Sequence, residues 1–67
     1  MIVNKKGKYK LLSDYSIHQL MTIVNFKVGT ILDITQIDKK NKHVLGPELN
    51  DWVGWDMPVE PVEDSSG

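Results

Sequence analysis

The run Gly29-Thr30-Ile31-Leu32-Asp33-Ile34-Thr35-Gln36-Ile37 limits the possible folds of this chain more than any other segment. Its β-branched side chains are stiff about χ1 and fit a pleated surface better than a helix. Leu32 and Ile34 lie two residues apart, so a strand turns both toward the same side. Ile37 has the opposite parity, which calls for a bulge or for cover on both faces. A β-strand is expected over residues 28–37. The rest of the chain leans the same way: alanine, the best helix former, is absent, while valine and isoleucine supply 13 of 67 residues.

A chain this short makes one domain, which buries only about 60% of the surface its unfolded form exposes. Without cysteine there is neither a disulfide framework nor a thiolate metal site, so apolar packing among the 40% hydrophobic residues has to suffice. The domain is expected over residues 1–62, with residues 63–67 as a frayed polar tail. No apolar run approaches the ~18 residues of a membrane span, and the first ten residues lack the long apolar stretch of a signal peptide. A soluble, cytoplasmic protein is the expectation.

Strands are expected near residues 9–13, 28–37, 43–49, 52–57 and 61–63, separated by Asn-, Asp- and Gly-containing turns. Gly46-Pro47 interrupts the third, because proline cannot donate to a ladder; that strand either lies at an edge or ends there. Residues 16–25 are ambiguous. Ile17, Leu20, Met21 and Val24 have helical spacing, and Ser16 with Gln19 has the spacing of a capping box. Against a helix stand its shortness and the β-branched Thr22, Ile23 and Val24. A long irregular loop or hairpin, with room for one helical turn, is favoured over a short helix. The expected core is Leu12, Val28, Leu32, Ile34, Val44, Val53, Trp55 and Val62.

Three segments resemble the Src-homology-3 domains. Leu11-Leu12-Ser13-Asp14-Tyr15 is similar to that family's alanine-leucine-tyrosine-aspartate-tyrosine signature. Phe26-Lys27-Val28-Gly29-Thr30-Ile31-Leu32-Asp33-Ile34 resembles the run that ends its long loop, and Gly54 with Pro58-Val59-Glu60-Pro61-Val62 resembles its closing strand. The match covers about residues 9–62. It implies an all-β fold, a small five-stranded antiparallel barrel with a long loop after the first strand. The family's polyproline groove is lined by aromatics. Here Ser13, Pro61 and His43-Val44 stand where three of those aromatics would be; only Tyr15 and Pro58 remain. Proline-rich peptides are therefore expected to bind weakly or not at all. In its wealth of Lys, Ile and Asn the chain also resembles small proteins of Gram-positive bacteriophages and prophages, which implies an accessory protein that binds a host or phage partner.

For catalysis the chain offers His18, His43 and scattered carboxylates at no diagnostic spacing, and it contains no glycine-rich phosphate loop. A non-catalytic domain without cofactor is expected; a metal set of His43, Asp51 and Asp56 is conceivable but has no supporting motif. All eight positive charges are lysines, so the two-pronged grip of arginine on phosphate or guanine is missing. Nucleic-acid binding remains the alternative, through Lys39, Lys40 and Lys42 with Tyr9 or Tyr15 as a stacking ring. The preferred class is protein binding. Trp52 and Trp55, three residues apart, face opposite sides of a regular strand. Trp55 shares the parity of Val53 and Met57 and belongs inside. Trp52 falls outside, and with Tyr15, Pro58 and the acidic carboxyl-terminal segment it makes the expected partner site. The domain is expected to be a monomer or a weak homo-oligomer.

Overall fold

The computed structural model describes residues 1–19 and 21–62. Its strands are β1 (Gly7–Leu11), β2 (Tyr15–Gln19), β3 (Thr22–Phe26), β4 (Ile31–Ile34), β5 (Gln36–Asp38), β6 (His43–Leu45), β7 (Val53–Gly54) and β8 (Val59–Pro61). All pairings are antiparallel. They form a sheet in the order β4-β1-β8, the hairpin β2-β3, and a second three-stranded sheet in the order β5-β6-β7. The domain is thus all-β among the described residues, as expected, but it has eight short strands in three sheets. The expected closed barrel of five strands does not form. Among the described residues no helix is long and apolar enough to cross a membrane.

The long strand expected over residues 28–37 is two strands, β4 and β5, broken at Thr35. Its N–H donates to the Leu45 carbonyl (3.0 Å) instead of continuing the pairing with β1. Residues before the break serve one sheet and residues after it the other. This change of sheet accounts for the conflicting parities of Ile34, which is fully buried, and Ile37, which is half-buried. The third strand stops at Leu45, ahead of Gly46-Pro47. It lies in the middle of its sheet, not at an edge. Gly46 is itself buried, and a Cβ there would run into the Asp33 carbonyl oxygen. Residues 46–49 therefore lie across β4, where the Glu48 carboxylate accepts the Asp33 N–H (2.7 Å) and Leu49 enters the core.

Residues 16–19 and 22–25 belong to the hairpin, so neither a helical turn nor an irregular loop is present there. Ile17 and Val24, seven apart in sequence, are cross-strand partners; Leu20 lies outside the described residues. The Ser16 hydroxyl, which has capping-box spacing to Gln19, donates to the Asn25 side-chain oxygen (2.6 Å) across the ribbon. Residues 1–3 run beside residues 55–57: Ile2 bridges Asp56, and the Val3 N–H donates to the Trp55 carbonyl (2.8 Å). These contacts, with Trp55 N–H donating to the Lys42 carbonyl (3.0 Å), explain why β7 covers two residues and not the expected 52–57.

The core is built by Val3, Tyr9, Leu11, Ile17, Leu32, Ile34, Val44, Leu49, Val53, Met57 and Val59, with Trp55 packed partly against it. Burial of Tyr9 is possible because its hydroxyl donates to the Lys5 carbonyl (2.7 Å). Three expected core residues are outside. Leu12 (54% exposed) shares the outward parity of Lys8 and Lys10, so its neighbour Leu11 takes the inner place. Val28 (59%) lies in the connection after β3, and Val62 (37%) has the outward parity of Glu60. The expected tail, residues 63–67, lies outside the described residues.

Candidate partner-binding surface

Trp52 precedes β7, where its backbone N–H donates to the Asp51 carboxylate (2.7 Å). Its side chain is 39% exposed, while Val53 beside it is buried and Trp55 is half-buried against the core. Trp52 is thus the more exposed of the two, although the strand over residues 52–57 on which their opposite facing was reasoned is reduced to Val53–Gly54. Tyr15 opens β2 opposite Phe26 and is half-buried; burial pushes its hydroxyl pKa above the ordinary tyrosine value. Pro58 leads into β8 and is half-buried, its carbonyl accepting the Leu12 N–H (2.8 Å).

The three expected site residues stand at different elements, Tyr15 opening β2, Pro58 preceding β8 and Trp52 preceding β7. Pro58 and Tyr15 flank the end of β1 through Leu12 and the short connection that follows it, whereas Trp52 enters the sheet β5-β6-β7. Among the described residues, no strand pairing or hydrogen bond joins Trp52 to either. Sequence reading missed a second exposed apolar area on the outer face of the sheet β4-β1-β8. Leu12, Ile31 and Val62 lie there with Pro58, around an ion pair between Lys10 and Glu60 (3.3 Å). The lysines of β1 carry the signal that could have revealed it: Lys8 and Lys10 mark the solvent face, and Leu12 continues their parity.

A shallow open groove of about 300 Å³ runs along the base of the hairpin, lined by Asp14, Ser16, Asn25, Phe26 and Lys27. Several of its polar groups are already engaged, since the Asp14 carboxylate accepts the Val28 N–H (2.8 Å) and Ser16 bonds to Asn25. His18 and His43 are exposed on separate sheets. Among the described residues, no three His, Asp or Glu side chains come together to hold a metal ion; His43, Asp51 and Asp56 are not such a set.

Lys39, Lys40 and Lys42, by contrast, are brought together, all exposed on the turn between β5 and β6. Asp38 organises that turn. Its carboxylate accepts the Asn41 side-chain amide (2.8 Å) and the backbone N–H groups of Asn41 (3.2 Å) and Lys40 (3.1 Å), while Lys42 takes the left-handed conformation (φ 60°) that closes it. These hydrogen bonds, the Asn41 side chain first, hold the Asp38 carboxyl below its ordinary pKa. A lowered folded-state pKa contributes stability that is complete above the unfolded value and lost as pH falls through the folded one. The Lys40 and Asn41 amide resonances should therefore stay native down to the ordinary aspartate range and shift only below it. An NMR titration in which they moved at or above that range would contradict this account of the turn.

Compared with known proteins, the chain matches no family model, no curated protein and no solved structure.

Proposed function

We propose that this chain is a non-catalytic protein-binding domain, an accessory protein of phage or prophage type, with a strand order like that of the Src-homology-3 domains. The exposed Trp52 carries the binding reading. A large aromatic side chain with one polar handle is 39% exposed next to the buried Val53, and such residues dominate binding energy at interfaces. The likeness in strand order is supported by the hairpin β2-β3, which falls where that family has its long loop, between the segment ending at Tyr15 and the run from Phe26 to Ile34. Chain composition is what supports the phage origin.

The binding reading is tested by capture. Immobilised wild-type chain and its Trp52→Ala variant are exposed to the same bacterial lysate, and proteins retained by one and lost by the other are identified. Affinity for the partner should fall about thirtyfold, the effect of losing roughly 2 kcal/mol at a hot spot. An unchanged set of retained proteins would remove Trp52 from the site. One observation favours a second reading, nucleic-acid binding, namely that Lys39, Lys40 and Lys42 share one turn. Oligonucleotide binding that weakened steeply with salt and was lost on replacing these lysines would put that reading first.

A further inference from the structure

A strand at the edge of a sheet presents unpaired N–H and C=O groups, and folded proteins blunt such edges by charge, proline, cover or shortness. Most edges here are blunted in one of these ways. Residues 46–49 cover β4, with Gly46 against the Asp33 carbonyl and the Glu48 carboxylate on the Asp33 N–H. On β8, the bonds from Leu12 to Pro58 and from Val62 to Lys8 turn the ring nitrogen of Pro61 outward, so that edge lacks a donor there. The edge strands β5 and β7 have three and two residues.

The hairpin has none of these devices. Residues 15–26 contain no Lys, Asp, Glu or Pro, and charges resume only at Asp14 and Lys27. β3 pairs on one side with β2, and among the described residues no backbone hydrogen bond from another element reaches residues 22–26. Thr22, Ile23 and Val24 favour an extended backbone. Ile23 is 55% exposed, and Met21 at the tip is fully exposed.

We propose that the outer edge of β3 pairs antiparallel with the same edge of a second copy, joining two hairpins into a four-stranded sheet. The argument for a second copy is self-complementarity. A two-fold axis perpendicular to the sheet keeps equivalent faces together, so Thr22, Val24 and Phe26 of both copies share one face and Ile23 and Asn25 share the other. The strand is uncharged throughout, so two identical copies approach without like-charge repulsion. This contact is separate from Trp52, which precedes β7 of another sheet.

Sedimentation velocity of the wild-type chain, Ile23→Lys and Trp52→Ala, from about 10 μM to about 1 mM, tests the pairing over the affinity range of a small interface. The wild type should pass from monomer toward dimer. Ile23→Lys should weaken association at least about tenfold by placing a charge on the edge, and Trp52→Ala should leave it unchanged. In the wild type, amide hydrogen exchange of residues 22–26 should slow as concentration rises. The proposal is overturned if the wild type stays monomeric throughout, if Ile23→Lys dimerises as tightly, if Trp52→Ala abolishes the dimer, or if exchange at residues 22–26 is independent of concentration.

Discussion

Replacing Gly46 by alanine should destabilise the domain by about 3 kcal/mol or more, the upper range for a group forced into a packed interior. The position is buried, and the atom a Cβ would meet is the Asp33 carbonyl oxygen, part of the backbone of β4. A flexible side chain could swing aside; a backbone atom in a paired strand cannot move without disturbing the pairing of Asp33 with Lys8. The same shift would pull the Asp33 N–H from the Glu48 carboxylate. For a domain of this size the loss corresponds to a fall of roughly 10–25 °C in Tm. Thermal unfolding followed by circular dichroism measures it. A change of only a few degrees would show that residues 46–49 do not lie against β4.

Ile34→Ala should cost about 2–5 kcal/mol, the range for removing a buried branched side chain and leaving a cavity. Ile34 is 1% exposed and ends β4 opposite Gly7, one residue before the break at Thr35. Its pairing partner has no side chain to fill the space, so little local relaxation is available. Total stability of such a domain is only about 5 kcal/mol, which means the variant would stand near the edge of unfolding at room temperature. Urea denaturation gives the value directly. A near-neutral result would mean that the inward face of β4 is misassigned.

These two positions also show what could be read from the sequence. The inward side of β4 was legible because Leu32 and Ile34 alternate with polar residues inside a β-branched run. Gly46 was recognised as an interruption, but its real constraint, contact with a backbone 13 residues earlier, is tertiary and leaves no local pattern. The adjacent Leu11 and Leu12 are equally apolar, so hydrophobicity alone could not choose between them; the flanking Lys8 and Lys10 could have done so. Ile17 and Val24 satisfy a helical spacing and a hairpin pairing equally well, and the β-branched residues between them decide for the hairpin. The pairing of Val3 with Trp55 joins distant parts of the chain and could not be read locally.

The site was legible to a similar depth. The grouping of Lys39, Lys40 and Lys42 followed from their place in one turn, whereas the facing of Trp52 and Trp55 was reasoned on a strand over residues 52–57 that is only Val53–Gly54. That Trp52 leads into a different sheet from those beside Tyr15 and Pro58 depends on how the sheets assemble. So does the apolar face of Leu12, Ile31 and Val62, which became visible only once the register of β1 with its two neighbours was known.

The central claim is that Trp52 is held at the surface for a partner and not for the fold. The unfolding free energy of Trp52→Ala, measured in urea on the full chain, tests it most directly. Because the side chain is 39% exposed and the adjacent Val53 is itself buried, the variant should remain within about 1 kcal/mol of wild type. A loss of about 3 kcal/mol or more, the cost of truncating a core tryptophan, would contradict the claim and assign Trp52 to the interior.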